Sequence, residues 1–311
     1  MASNETRPKI AVAPSGHMWY EPLVEAVERA GATLVDVADA EGLIWTAKHE
    51  ADLRDVLHDG IRWVQIPHAG VEKWVQSGEF DDKRTFTSVR GVYVETVGEH
   101  AVAMIFAGAR RLHVCARLKE WDEPTGEGRL LRGSTVAIIG AGGIGQEIIR
   151  YLEPFGVRII AVSRDSRQVP GADVNVPVSR IDEVWPQADF PVLIAPATPE
   201  TRGMVDKAAL EAMPDTAFLV NVARGMLVNT DDLVDALRNN TIAGAALDVT
   251  DPEPLPAGHP LWDLPNALIT PHVANPNVEN VRRMQERVEA NVHRFAAGEE
   301  LLGVIDLELG Y

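Results

Sequence analysis

Cysteine is almost missing from this chain: Cys115 is the single one among 311 residues. One thiol cannot close an intrachain disulfide, and it fits a reducing, cytoplasmic setting. It follows an apolar helical stretch, so a buried structural thiol is expected. Positive charge is scarce too. Lys and Arg number 29 against 46 Asp and Glu, a formal net charge of −17. That balance argues against nucleic acid or an anionic membrane surface as partner, because both favour a basic face. An anionic small molecule must then meet a local positive site against an unfavourable overall field. Long apolar runs are lacking as well. Stretches such as residues 101–109 are too short to span a bilayer, and residues 1–9 contain no apolar signal region. No repeat or low-complexity segment stands out. What remains is an ordinary globular composition, long enough for a sizeable core and two domains.

Strand and helix patterns alternate along the chain. Residues 9–13, 33–37, 42–45 and 62–66 read as strands. Helical spacing covers 21–30, ending at Gly31, and 51–57. A long, mostly apolar helix follows at 99–114, then an aperiodic connection at 119–133. A second series begins with a strand at 135–139, a helix at 146–152 and a strand at 158–162. Later strands are expected at 192–195, 217–222, 243–248 and 267–270, with helices at 207–213 and 230–239. This alternation implies α/β architecture with two doubly wound parallel sheets. The last helix, 278–297, most simply returns to the first domain. The domains are then 1–98 plus 275–311, and 99–274.

The strand at 135–139 runs directly into Gly140-Ala141-Gly142-Gly143-Ile144-Gly145. Between a strand and a helix, this spacing is a phosphate cradle. Gly140 permits the tight turn, Gly142 lets the backbone approach a pyrophosphate, and Gly145 allows close helix–strand packing. The following helix offers unpaired N–H groups to the phosphates. A glycine-rich turn without a ligand is the alternative. At the end of the next strand a dinucleotide site for NAD usually carries an acid. Here the segment is Ser163-Arg164-Asp165-Ser166-Arg167. Arg164 and Arg167 can hold a 2′-phosphate by charge-assisted hydrogen bonds, which favours NADP(H) over NAD(H). If Asp165 instead turns inward, it serves the ribose and the arginines are solvated surface.

Three further islands each hold one polar residue suited to hydride chemistry. They are Asn221-Val222-Ala223-Arg224-Gly225, Asp251-Pro252-Glu253-Pro254-Leu255-Pro256 and Thr270-Pro271-His272-Val273-Ala274. Arg224, at a strand end, can grip a carboxylate with two parallel bonds and reach the adjacent carbonyl oxygen. A capping or surface arginine is the alternative. His272 also follows a strand, and a lone His is usually structural; its place beside Arg224 at one sheet edge argues for more. Glu253 lies in a proline-fixed loop. A carboxylate beside an imidazole favours the protonated ring, which can then donate a proton to a ketone oxygen. No nucleophile stands in a recognisable setting and no Cys/His spacing suits a metal, so the hydride must come from the cofactor.

Together these segments resemble the D-isomer-specific 2-hydroxyacid dehydrogenase family. Val97-Gly98-Glu99-His100-Ala101 and Thr198-Pro199-Glu200-Thr201-Arg202-Gly203 match it too, and the likeness runs from the Trp63–Trp74 segment to Val304-Ile305-Asp306. The resemblance implies a Rossmann nucleotide domain inserted into a flavodoxin-like catalytic domain, hinged near 95–98 and 271–276, and a homodimer. It implies that Arg224 binds substrate, that His272 is the acid/base with Glu253 as partner, and that backbone groups at Ala69 and Gly70 meet the substrate carboxylate. The cofactor site is expected to comprise Gly140, Gly142, Gly143, Ile144, Gly145, Ser163, Arg164, Arg167, Pro196, Val222, Ala223, Asp248 and Ala274. His68 departs from the family's usual Gly, and either narrows the pocket or points to solvent. Trp45 is expected in a loop that reaches the cleft and walls off larger substrates; a core position is the alternative. Ser163-Arg164 looks like the family's NADP-using glyoxylate/hydroxypyruvate reductase branch. The implied activity is reduction of a small 2-oxo acid to the D-2-hydroxy acid. Phosphoglycerate oxidation and a non-enzymatic, dinucleotide-sensing corepressor are the rivals. Formate oxidation is disfavoured, because that branch has Gln where Glu253 stands.

Overall fold

A computed structural model describes residues 7–47, 53–121, 128–165 and 167–307. The start of the expected helix at 51–57, part of the 119–133 connection, and Ser166 lie outside the described residues. The chain forms two compact units, Met1–Tyr93 with Pro276–Tyr311, and Val94–Asn275.

The first unit runs β1 (Lys9–Ala13), α1 (Tyr20–Arg29), β2 (Thr33–Leu34), β3 (Gly42–Trp45), β4 (Trp63–Gln65), α2 (Glu72–Gln76) and β5 (Thr85–Thr87). Its five strands are parallel in the order β2-β1-β3-β4-β5, the flavodoxin-like winding. Alternation along β1 feeds two layers. Ile10 and Val12 enter one with Leu23 and Ala26 of α1, while Ala11 enters the other with Leu43, Leu53 and Val64. The expected strand at 33–37 is shorter, because a 3₁₀ turn takes over at Val37. The helix expected at 51–57 is likewise a 3₁₀ turn, Leu53–Val56, in the part described.

Of the two places open to Trp45, cleft wall or core, the structure gives the core, on the strand expected at 42–45. Trp45 is the last residue of β3, 3% exposed, and packs with Leu43, Leu53 and Trp74. Its neighbours along β3 alternate between two buried layers, so the residue after Ile44 must face the Leu43 side.

The second unit begins with α3 (Val94–Ala109) and α4 (Leu112–Cys115). The long helix expected at 99–114 therefore starts five residues earlier and ends five earlier. Residues 95–98 are helical. Arg111 has φ 52° and breaks the helix. That left-handed residue rotates the next turn, so His113 takes the buried position and Cys115 is exposed. The expectation of a buried thiol is thus overturned.

The unit continues through β6 (Thr135–Ile139), α5 (Gly143–Leu152), β7 (Arg158–Ser163), β8 (Val174–Pro177), β9 (Phe190–Leu193), α6 (Lys207–Ala212), β10 (Phe218–Asn221), α7 (Thr230–Arg238), β11 (Gly244–Leu247) and β12 (Ala267–Ile269). All seven strands are parallel, in the order β12-β11-β10-β9-β6-β7-β8. The winding reverses between β6 and β9, so the crevice outside their carboxyl ends is where a ligand belongs in such a sheet. Near-continuous apolar strands such as Phe218–Asn221 are buried on both faces, as a parallel sheet requires.

The chain returns to the first unit with α8 (Asn277–Ala297), closed by Gly298 at φ 68°. Met284, Val288 and Val292 recur every four residues and fill the layer shared with α1. No described helix is long and apolar enough to cross a membrane.

Candidate active site

Gly140 leaves β6 with φ 101°, and a side-chain carbon there would lie 2.6 Å from the backbone of Ala195, just past β9. Only glycine lets the two strand exits approach this closely. The N–H groups of Gly140 and Ala141 are both taken by the carbonyl of Val162, at 2.9 and 3.1 Å, which ties the loop to β7. Around Gly142 the space that a side chain would fill is open. Gly143, Ile144 and Gly145 form the first turn of α5, whose N-terminal amides face that space.

Ser163 ends β7. It is 8% exposed, and its hydroxyl has no hydrogen-bond partner. A buried, unsatisfied hydroxyl at this position is a donor and acceptor waiting for a ligand group. Arg164 is exposed, and Arg167 Nη2 donates to the carbonyl of Ala141 at 3.4 Å, over the glycine loop. The carboxylate of Asp165 accepts from the backbone N–H of Arg167 at 3.5 Å. The residues present therefore fit a dinucleotide: an open glycine cradle, a helix N-terminus, an orphaned hydroxyl and two cations. Pro196 is exposed after β9, and its carbonyl accepts from the Thr201 hydroxyl at 2.7 Å.

The three islands leave consecutive strands. Asn221, Leu247 and Ile269 are aligned in register at the ends of β10, β11 and β12. Fully buried Asn221 closes the β10 exit from both sides. Its Oδ1 accepts from Ala223 N at 3.1 Å, and its Nδ2 donates to Arg224 O at 3.0 Å. Val222 and Ala223, each 8% exposed, line this turn. Arg224 is half-buried, and its Nη1 donates to Ala223 O at 2.7 Å, which orients the fork. A side-chain carbon on Gly225 would fall 1.9 Å from Thr250 O, so the Arg224 turn lies directly on the chain leading to Glu253.

His272 Nδ1 stands 2.7 Å from Glu253 Oε1. An ionised carboxylate only accepts, so Nδ1 carries the hydrogen and Nε2 is presented outward. Both side chains are nearly half exposed, as groups that meet a substrate must be. His272 has φ 53°, a costly conformation for a residue with a side chain. It is held there from its own N–H, which donates to Asp248 O at 2.8 Å and Thr270 O at 3.0 Å.

Asp248 is 2% exposed and spends its carboxylate on this loop. Oδ1 accepts from the Thr270 hydroxyl at 2.5 Å and Val273 N at 2.9 Å; Oδ2 accepts from Ala274 N at 3.1 Å. His100 Nε2 lies 3.3 Å from Oδ1. Burial opposes the charge, but the His100, Thr270, Val273 and Ala274 hydrogen bonds outweigh it and hold the pKa down at about 2. Asp248 and Ala274 were expected against the cofactor. The structure hydrogen-bonds the Ala274 N–H to the Asp248 carboxylate, a support of the His272 loop.

The remaining expected residues belong to the first unit. His68, Ala69 and Gly70 follow β4 at the carboxyl end of its sheet. Ala69 is exposed. His68 is half-buried with its ring 5.8 Å from that of Trp19, edge-on, so it does not simply point to solvent. Sequence reasoning gave no role to Asn221, His100 or Thr270. Asn221 carries a local signal, since Asn after an apolar strand readily bonds the backbone two residues on. The His100–Thr270 contact spans 170 residues, and no local pattern announces it.

Such a glycine cradle at the switch point of a parallel sheet, with an imidazole–carboxylate pair and an arginine at neighbouring strand ends, defines a dinucleotide-linked oxidoreductase. Residues 102–274, more than half of the chain, match the model of the D-isomer specific 2-hydroxyacid dehydrogenase NAD-binding domain, and the chain belongs to that family. A Corynebacterium melassecola protein, described as an uncharacterized protein in the proB 3′ region, is 42% identical over 95% of this chain and 98% of its own length. The glyoxylate reductase of Thermofilum pendens is 33% identical over 72% of this chain and 68% of its own. A solved NADPH-dependent glyoxylate/hydroxypyruvate reductase from Sinorhizobium meliloti, in complex with NADP and sulfate, superimposes with a TM-score of 0.81. It is 26% identical, with 98% of this chain and 100% of that chain covered.

Proposed function

We propose that this protein reduces a small 2-oxo acid of the glyoxylate or hydroxypyruvate type to the D-2-hydroxy acid, with NADPH preferred over NADH. The observation that carries the reading is the 2.7 Å His272–Glu253 pair, at the carboxyl edge of the same sheet that carries Arg224 and the glycine cradle. The glyoxylate reductase relative and the NADP-bound reductase structure support it. When bound, the nicotinamide supplies the hydride. Gly140, Gly142 and the first turn of α5 hold its pyrophosphate, with Gly143, Ile144 and Gly145 shaping that turn. Pro196, Val222 and Ala223 flank the crevice. Arg224 takes the substrate carboxylate in its fork. His272 Nε2 gives a proton to the substrate oxygen, and Glu253 keeps the ring in the orientation and tautomer that allow this. The unit Val94–Asn275 is the nucleotide domain in this scheme.

Cofactor preference rests on Ser163, Arg164 and Arg167. An acid at 163 would repel a 2′-phosphate; a serine accommodates one, and the two cations attract it. One charge-assisted bond of about 1.5–3 kcal/mol favours NADPH roughly ten- to a hundredfold. The test is oxidation of NADPH and NADH at 340 nm with glyoxylate, hydroxypyruvate, pyruvate, 2-oxoisovalerate and phenylpyruvate, for the wild type and for S163D/R164A. We expect NADPH turnover with the smallest acids, and a shift towards NADH in the variant. Cofactor binding without turnover on any acid overturns the reductase reading. Equal loss with both cofactors in the variant overturns the specificity assignment.

We also propose a homodimer that works in the cytoplasm, where the exposed Cys115 stays reduced. Leu112, Leu118, Trp121 and Leu130, all in the second unit between α3 and β6, are exposed, Trp121 completely. Such apolar exposure favours burial against a second copy. Light scattering should give twice the chain mass of 33.9 kDa, and L118E/W121E should give the single mass. A monomeric wild type overturns the dimer.

A further inference from the structure

We infer that His100 is a positioning residue for His272, acting through Asp248 and Thr270. The inference rests on the reading of His272 as the proton donor. His100 lies in the second turn of α3, far from the catalytic islands in sequence. Its Nε2 is 3.3 Å from Asp248 Oδ1 and 3.2 Å from Thr270 Oγ1. The Thr270 hydroxyl donates to Asp248 Oδ1, so its oxygen lone pair faces His100. One Nε2 hydrogen thus serves two acceptors, and His100 carries that hydrogen.

The other side-chain and backbone donors to this carboxylate come from residues 270–274: Thr270, Val273 and Ala274. They straddle His272 on both sides. Among the described residues His100 is the donor that arrives from a separate element, and it ties the whole loop to α3. A side-chain carboxylate accepting only from the 270–274 loop can swing with that loop. One also fixed from α3 cannot. What is held this way is a backbone that resists its own conformation, since His272 stands at φ 53°. If the loop relaxes, the imidazole leaves its 2.7 Å contact with Glu253, and Nε2 loses its aim. The residues that hold the dinucleotide, on β6, α5 and β7, do not share these hydrogen bonds. Loss of His100 therefore falls on proton transfer and spares binding.

The experiment compares H100A and H100Q with the wild type. Gln can present an amide N–H near the Nε2 position; Ala cannot. With NADPH and the best 2-oxo acid, kcat of H100A should fall about ten- to a hundredfold, the loss that follows small misplacement of a reacting group. KM for cofactor should be unchanged, and H100Q should recover most of kcat. Amide hydrogen exchange is the second readout. Residues 268–276 should exchange faster in H100A and near wild type in H100Q, while β6 and α5 stay protected in both. Wild-type kcat in H100A overturns the inference. So does equal loss in both variants with faster exchange throughout the unit, which would mark a merely structural side chain. If the wild type turns over no 2-oxo acid, the proposed function fails, and the exchange comparison still decides whether His100 holds the loop.

Discussion

Replacing His272 by Gln is expected to abolish turnover while NADPH still binds. The imidazole is the titratable group at the strand ends whose Nε2 is presented outward, because Nδ1 is committed to Glu253. Gln keeps a polar side chain of similar reach but cannot exchange a proton near neutral pH. General acid–base catalysis supplies about 10²–10⁴-fold, equal to roughly 3–5 kcal/mol of barrier, so kcat should fall by that range. The phosphate cradle sits on β6 and α5, and the orphaned Ser163 hydroxyl on β7. None of these loses a contact in the variant. Cofactor binding, read by quenching of protein fluorescence or by calorimetry, should match the wild type. Turnover at the wild-type rate would remove His272 from the mechanism. Loss of cofactor binding together with turnover would mean that the substitution had collapsed the strand edge instead.

How much of this was legible in the sequence follows from which interactions are local. The glycine loop, Ser163, Arg224 and His272 each stand just after an apolar strand, and a doubly wound sheet delivers every strand end to one edge. That rule converts three scattered islands into neighbours without any knowledge of packing. The strands it failed to find are β5 and β8. Thr85–Thr87 has one buried apolar side chain, and Val174–Pro177 is partly exposed throughout and ends in proline. These two edge strands carry too little hydrophobic signal to read. The α3 boundaries were missed because composition does not register a single left-handed residue: Arg111 ends the helix by backbone geometry, and Cys115 changes from buried to exposed with it. Trp45 was left between cleft wall and core because a tryptophan at a strand end suits either. Asp248 was expected against the cofactor, and only its side-chain direction shows that it also braces the His272 loop.

The same geometry resolves an apparent conflict between charge and chemistry. The chain carries 17 more negative than positive charges, yet the proposed substrate and cofactor are both anions. An acidic protein can bind them because screened surface charge fades within about 8 Å at physiological ionic strength. Fixed donors at contact distance do not fade. The α5 N-terminus, Arg167 over the glycine loop, and Arg224 at the end of β10 supply those donors locally. Asp248, ionised down to a pH of about 2, adds a negative charge to this edge, but it accepts hydrogen bonds from the loop and faces His100.

Arg224→Ala is expected to raise the KM for the 2-oxo acid and to lower kcat as well. Two effects separate here. In the proposed reaction the fork binds the substrate carboxylate in both ground and transition states, and losing that alone would raise KM without touching kcat. The guanidinium also faces the neighbouring carbonyl oxygen, where negative charge grows as the bond is reduced. Removing one such preorganised donor costs about 10²–10³-fold in kcat. The combined loss in kcat/KM should therefore exceed the loss in either constant. Arg224→Lys keeps the charge but not the planar fork, and should recover only part of it. The main-chain turn should survive in both variants. Asn221 fixes it through the backbone of Ala223 and Arg224, and Gly225 still packs on Thr250, so NADPH affinity and thermal stability should hold. Steady-state kinetics on the smallest active 2-oxo acid decide the matter. A change in KM alone would make Arg224 a substrate anchor with no part in the chemical step. Unchanged kcat/KM in the alanine variant would take Arg224 out of the site and place the carboxylate elsewhere.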